Sequence, residues 1–300
     1  MKIVRFSTNG SSPRLGMLRD DTVVDLQASY SASLAQRGVT RAADLAAAVL
    51  PASTRAFLEN GPVALEAIQA ITEWVTAPAR SVRLHAPIAD PGKFICIGLN
   101  YRDHAEETNS PIPKEPPIFP KWANAILDPG EPVLRPRGSQ QLDWEVELGV
   151  VIGRTTRNVS REAALDHVFG YTIVNDVSAR DFQFITSQWA AGKIADTLAP
   201  TGPFIADRAD IPDPHQLQLQ TWVNDRQMQN GHTKNLIFDV TYIVSYLSKL
   251  ITLSPGDLIA TGTPAGVGFS RKPPVFLVPG DICRLEITGL GTLQNPIKEG

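Results

Sequence analysis

Trp144-Glu145-Val146-Glu147-Leu148-Gly149-Val150-Val151-Ile152 decides how this chain is read. From Leu148 to Ile152 apolar residues occupy both faces of an extended backbone, which predicts a strand covered on both sides within residues 143–153. Residues two apart share a face of a strand. Glu145 therefore stands beside Glu147, with Trp144, Val146 and Leu148 opposite. Two carboxylates are ordinary on a solvated strand face. Beside a buried run they are costly, because an unpaired acid there loses its hydration. Such a pair must be solvated, protonated or bridged by a cation.

A third acid ends another apolar run. Tyr171-Thr172-Ile173-Val174 predicts a strand, and Asn175-Asp176 follows it. Alone, Asp176 also reads as a cap or turn residue; at a strand end it is placed to meet Glu145 and Glu147. Three oxygen ligands without a Cys/His cluster favour Mg²⁺, Mn²⁺ or Ca²⁺ over zinc. Lys193, flanked by Trp189-Ala190-Ala191 and Ile194-Ala195, reads either as a solvated cation or as a partly buried one aimed at an anion.

Asn100-Tyr101-Arg102-Asp103-His104-Ala105-Glu106-Glu107 follows a short apolar run at residues 94–99. On a helical turn His104 and Glu107 are i, i+3 neighbours. A carboxylate beside an imidazole orients it and raises its basicity, as a general base requires. The same pair also occurs as a plain surface ion pair. Pro111, Pro113, Pro116, Pro117 and Pro120 exclude a regular helix from residues 109–120, which leaves a flap or a coil. Thr261-Gly262-Thr263-Pro264-Ala265-Gly266-Val267-Gly268 lacks the P-loop and dinucleotide patterns, so nucleotide binding is not supported. Its backbone N–H groups and the Thr263 hydroxyl suit a carboxylate, or form a tight turn. His85, His167, His215 and His232 show no convergent partner, and no Ser or Cys sits in a nucleophile elbow.

Around these segments the organisation is uneven. Residues 1–80 read as a small α/β unit. It has a strand at 2–6, a hairpin turning at Asp20-Asp21, an alanine-rich helix at 41–50, and a helix with Leu65, Ile68, Ile71 and Val75 on one face. Trp74 lies near that face and reads as packing. Residues 81–92 read as a linker, rich in Pro and Gly. Residues 93–300 are β-dominated. Leu217, Leu219, Thr221 and Val223 alternate with polar residues, as do Cys283, Leu285 and Ile287. Leu236, Val240, Val244, Leu247 and Ile251 mark one long helix. Strands broken by single helices, without regular βαβ alternation, give an α+β class of mixed or antiparallel sheet.

Composition narrows the function. Of 300 residues 43% are hydrophobic and 20% charged, which suits a large buried core and excludes wholesale disorder. The net charge of −3 gives no footprint for nucleic acid, and no apolar stretch is long enough to span a bilayer. Met1-Lys2-Ile3-Val4-Arg5-Phe6 reads as an immediate strand rather than a signal peptide. Cys96 and Cys283 sit in apolar runs and read as buried free thiols in a reducing cytoplasm.

Four blocks in order, those holding Asn100 to Glu107, Trp144 to Leu148, Asn175 to Asp181 and Thr261 to Gly268, resemble the fumarylacetoacetate hydrolase family over residues 93–297. The resemblance implies a β-sandwich roll with peripheral helices, usually a homodimer. It implies a divalent cation, usually Mg²⁺ and sometimes Mn²⁺ or Ca²⁺, on Glu145, Glu147 and Asp176. His104 and Glu107 match the pair that activates water, and Lys193 assists them. Tyr101, Arg180, Gln183, Thr197 and Thr263 match the substrate side. The implied reaction is hydrolysis of a C–C bond in a small 1,3-dicarbonyl acid such as an acylpyruvate, through a metal-stabilised enolate. The alternative is a β-keto acid decarboxylase or keto–enol tautomerase. Lys193-Ile194-Ala195-Asp196 departs from the Lys-Ser-Phe-Asp common in relatives, which implies a different pocket wall there. Pro120 and Trp122 are further departures.

Overall fold

In the computed structural model, which describes residues 1–8 and 10–300, the strand Val146–Ile152 is buried at all seven positions. It pairs antiparallel with Val168–Asn175 on one side and with Leu258–Ala260 on the other. Leu258–Ala260 runs parallel to Phe94–Ile97, and Ile118–Lys121 closes that edge, where Pro120 costs no ladder bond to a further strand. On the other side Val168–Asn175 pairs with Ala199–Asp207, and Ala199–Asp207 pairs with Lys2–Ser7. The first 80 residues thereby extend the same mixed twelve-stranded sheet.

Both faces of Val146–Ile152 are covered, and by different things. Val146, Leu148, Val150 and Ile152 meet a second sheet through Leu219, Cys283, Leu285, Ile287, Leu293 and Ile297. That second sheet has five strands, with Gln218–Val223, Ile282–Ile287 and Gly291–Glu299 at its centre. Val151, on the alternate face, packs in the core that holds Leu26, Leu50, Phe57, Leu58 and Ile68 from the N-terminal helices. Two hydrophobic layers on one strand explain why its sequence lacks alternation. The architecture is the expected β-rich α+β roll with peripheral helices.

Several boundaries differ from the sequence reading, each for a local reason. The strand expected over residues 143–153 splits. Leu142–Asp143 pairs with Ser178–Ala179. The Trp144 and Glu145 N–H groups then donate to the side chains of Asp143 and Asn175 instead of a ladder. The helix Pro62–Gln69 stops before Ile71 and Val75. Val75 is exposed, and its backbone bonds Asp25 and Ser29. Trp74 is 41% exposed and carries the Arg19 guanidinium over its ring. The helix Val240–Leu250 begins after Leu236, because Asp239 caps it by accepting from the Tyr242 N–H. Two helices escaped the periodicity, Leu26–Gln36 and Thr54–Glu59, each capped by the side chain before it, Asp25 and Ser53. Within residues 81–92, Arg83–His85 is a strand on Lys2–Ser7. Cys96 and Cys283 are buried free thiols. Among the described residues no helix is long and apolar enough to cross a membrane.

Candidate active site

The antiparallel register that pairs Val146 with Asn175 brings two strand ends together. Glu145 and Glu147 enter from one and Asp176 leaves the other. The Asp176 N–H donates to the Glu145 carbonyl (2.9 Å), and the Glu145 N–H donates to Asn175 Oδ1 (3.0 Å). One carboxylate oxygen from each of Glu145, Glu147 and Asp176 lies within 4.8 Å of the others, and all three residues are buried.

Cations surround two of these acids and neglect the third. Lys193 Nζ donates to Glu145 Oε2 and to Asp176 Oδ2, each at 2.8 Å. Arg180 Nη2 lies 2.6 Å from Glu145 Oε1, while its Nε donates to Asp143 Oδ2 (2.9 Å). Burial alone would raise the Glu145 carboxyl, but Lys193 and Arg180 outweigh it and hold the group down to about 2. Glu147 forms no ion pair among the described residues; it accepts the Gly262 N–H at 2.7 Å. Burial, with the charges of Asp176 and Glu145, pushes its carboxyl well above the usual range.

These contacts test the cluster for a cation. Four buried acids (Asp143, Glu145, Glu147, Asp176) face three buried bases (Lys121, Arg180, Lys193), so one negative charge is in excess. Among the described residues Asp176 Oδ1 has no aligned hydrogen bond, although Lys121 Nζ lies 2.9 Å away. An all-oxygen donor set with a surplus charge and a spare lone pair fits a divalent cation. The same three residues were expected to gather from the sequence.

The helix Arg102–Glu107 sets His104 Nδ1 3.4 Å from Glu107 Oε2, and the His104 side chain is only 8% exposed. Glu107 also accepts the Gly266 N–H at 3.0 Å. The loop read as a carboxylate binder thus holds two carboxylates of this chain, Glu147 through Gly262 and Glu107 through Gly266. Burial raises Glu107, yet hydrogen bonds from His104, the Gly266 N–H and Ser270 hold it below its ordinary range.

A cavity of about 190 Å³ opens between these groups, lined by His104, Glu145, Glu147, Arg180, Gln183, Lys193 and Thr263. Asp176 lies beneath Lys193, and Glu107 lies behind His104. Gln183 Oε1 accepts from Arg180 Nη1, and Thr263 Oγ1 accepts from Gln229 Nε2. Two residues placed on the substrate side do not line this cavity. Tyr101 is wholly buried, its hydroxyl without a partner among the described residues. Thr197 has a left-handed backbone (φ 68°), and its hydroxyl accepts the Leu134 N–H. The expected wall change at Ile194-Ala195 is also corrected, since neither residue lines the cavity. The apolar wall comes instead from Phe119, Phe184, Trp189 and Phe269. Within the proline-rich coil, Ser110 reaches the cavity.

Sequence reading missed Asp143 and Lys121. Asp143 accepts the Gly268 and Phe269 N–H groups and anchors Arg180. Lys121 is buried to 1% exposure. Its Nζ donates to the carbonyls of Val177, Lys193 and Leu198 at 3.1, 2.6 and 2.6 Å. The only sequence signal was a lysine inside a short apolar strand. Burial depresses its pKa, against the pull of Asp176. Lys121→Met should strand those acceptors and cost about 3–5 kcal/mol of stability, measured by urea unfolding. A loss under 1 kcal/mol would mean that solvent already shares the site.

A two-layered roll here carries a buried three-acid centre that fits a divalent cation and, beside it, a His–Glu pair. The chain belongs to the fumarylacetoacetate hydrolase family: residues 93–298 match the fumarylacetoacetate (FAA) hydrolase C-terminal domain. It is 43% identical over 304 residues to the mitochondrial oxaloacetate tautomerase of Xenopus laevis, covering 99% of this chain and 90% of that protein. It is 41% identical over 252 residues to a human mitochondrial oxaloacetate tautomerase, covering 83% and 80%. Among solved structures, fumarylacetoacetate hydrolase from Exiguobacterium antarcticum superposes with a TM-score of 0.83 at 36% identity over the whole of both chains. Maleylpyruvate hydrolase from Sphingobium sp. SYK-6, crystallised with manganese(II) and pyruvate, does so at 0.75 and 30%, also over both whole chains. These relatives are hydrolases and tautomerases. The cytoplasmic expectation is corrected by them: the frog, bovine and human tautomerases are mitochondrial.

Proposed function

We propose that this chain is a Mg²⁺-dependent keto–enol tautomerase of a small β-keto dicarboxylic acid of the oxaloacetate type. The observation that carries the choice is the 43% identity to an oxaloacetate tautomerase across 99% of the chain. Glu145, Glu147 and Asp176 hold the cation, which when bound polarises the keto acid's oxygens and offsets enolate charge. Glu107 accepts Nδ1–H of His104 and so leaves Nε2 as the base. His104 removes a proton from the carbon between the two carbonyls and returns it to either carbon or oxygen. Lys193 fixes Glu145 and Asp176, while Arg180, Gln183 and Thr263 orient the acid's oxygens. Residues 93–300 carry this chemistry, and residues 1–80, joined to them through 81–92, form an N-terminal unit that extends the same sheet. The assembly is a homodimer, and its partner is the dicarbonyl acid, not nucleic acid or membrane.

C–C hydrolysis of an acylpyruvate is the second reading, favoured by the likeness to maleylpyruvate hydrolase. There the same His104 deprotonates water. Ultraviolet and NMR monitoring of oxaloacetate and an acylpyruvate with the Mg²⁺-loaded protein separates the readings. Tautomerisation above the protein-free rate, without pyruvate or CO₂ beyond background, is the expected result. Pyruvate plus the free acid from the acylpyruvate, formed faster than tautomerisation, establishes the hydrolase. Excess CO₂ from oxaloacetate establishes a decarboxylase.

A further inference from the structure

We propose that Trp189 is the specificity-determining residue of this site. Its indole sets the length of acid admitted, so that four-carbon β-keto acids are preferred to those with an aryl or long acyl tail. The inference rests on the reading of the cavity as the keto-acid site.

The cavity is small. At about 190 Å³ it falls below the ~300 Å³ at which pockets for drug-sized ligands begin, and a bound cation would take part of that space. Trp189 is the bulkiest of the side chains that line it. Its ring lies against the backbone of Gly98, which ends the Phe94–Ile97 strand segment. A Cβ at Gly98 would stand 2.2 Å from Trp189 Cζ3 and 2.9 Å from Cη2. Glycine there makes room for the indole. Phe119 meets the indole edge-on, with centroids 5.7 Å apart at 70°.

The wall is also held in place. Trp189 begins the short helical turn Trp189–Gly192, and Lys193 follows it directly. Gly192 sits against the Ala179 carbonyl so closely that a Cβ would fall 2.5 Å from it. At the other end of the turn, Lys121 Nζ binds the Lys193 carbonyl at 2.6 Å, while Lys193 Nζ bridges Glu145 and Asp176. The Phe119 ring lies 5.0 Å from that same ammonium. The turn that presents the indole is therefore anchored to the acid centre itself. A longer tail cannot displace the ring toward the sheet, because Gly98 and Phe119 already fill that side. In a close-packed wall a misfit of one or two carbons is discriminating: one methylene is worth roughly 10–200-fold in kcat/KM.

The test compares oxaloacetate with benzoylpyruvate, each followed for tautomerisation and for cleavage, on the Mg²⁺-loaded protein and its Trp189→Ala and Trp189→Phe variants. The ratio of kcat/KM, benzoylpyruvate over oxaloacetate, normalises any general loss of activity. It should rise at least about tenfold in Trp189→Ala and to an intermediate value in Trp189→Phe. A ratio unchanged within about twofold in Trp189→Phe and in whatever Trp189→Ala folds overturns the inference, as does wild-type protein that uses both acids equally well. Cleavage in place of tautomerisation overturns the proposed reaction instead, and the ratio measured by cleavage still judges Trp189. If neither acid is turned over, binding is compared by calorimetry with oxalate and phenylpyruvate. An unchanged affinity ratio in the variants then refutes the role of Trp189.

Discussion

Glu147→Gln is expected to abolish divalent-metal binding and, at the same time, to raise the melting temperature of the metal-free protein. The two effects have one cause. Glu147 is buried beside Glu145 and Asp176, and its only described polar partner is the Gly262 N–H. Without a cation its ionised form is disfavoured, so folding at neutral pH must either keep an unmatched buried charge or take up a proton, a cost in both cases. An amide keeps the shape, can still accept the Gly262 N–H and carries no ionisation cost, so the metal-free fold gains stability. The cation loses a ligand, which should weaken it by more than the ~10–100-fold typical of losing an outer supporting group. In the wild-type protein, metal at a hundredfold excess over Kd should stabilise by about 2.7 kcal/mol, and this increment should vanish in the variant. Titration calorimetry and scanning calorimetry with Mg²⁺ or Mn²⁺ read both quantities. Metal affinity within threefold of wild type would remove Glu147 from the metal site.

His104→Ala should lower kcat by about 10²–10⁴, the usual span of a positioned general base, and leave the metal-induced rise in Tm intact. His104 lines the cavity but contributes no oxygen to the acid cluster. Undiminished turnover would exclude it from the chemistry. The pairing with Glu107 also fixes a pH dependence. Hydrogen bonds hold the folded Glu107 below its unfolded pKa of 4.5. Its contribution to stability is thus complete above that value and is lost only as pH falls through the lower folded one. Any decline in turnover between pH 7 and 5 has to arise from a group other than Glu107. A Glu107→Gln variant should still decline over that range, at a reduced rate.

Much of the acid centre was legible from local pattern. A strand apolar on both faces makes a neighbouring carboxylate conspicuous, so Glu147 stood out, and Glu145 followed by the two-residue repeat. Asp176 was marked by its place after an apolar run. His104 and Glu107 needed only a helical turn to meet. The same local logic overran where side chains interrupt the backbone pattern. It ran one strand through Trp144 and Glu145, whose N–H groups go to Asp143 and Asn175. It also drew helices through Ile71 and Leu236, which the chain leaves outside them.

What the order of residues determined by itself is therefore the periodic strands around the site and the identity of the cluster's acids, because strand periodicity and the expense of a buried charge are both local properties, whereas Ala199–Asp207, Arg226–His232 and Gly291–Glu299 carry no such period and became strands only by pairing. Only the tertiary structure decided how the charges are matched. Lys193 and Arg180 are committed to Glu145, Lys121 is locked among three carbonyls, and Glu147 has no counterion among the described residues. It alone also moved the apolar wall from Ile194-Ala195 to Trp189 and its aromatic neighbours. Ion pairing and cavity shape depend on distances between segments far apart in the chain, up to 172 positions among the residues lining the cavity, from Ile97 to Phe269, and no period in the sequence encodes those distances.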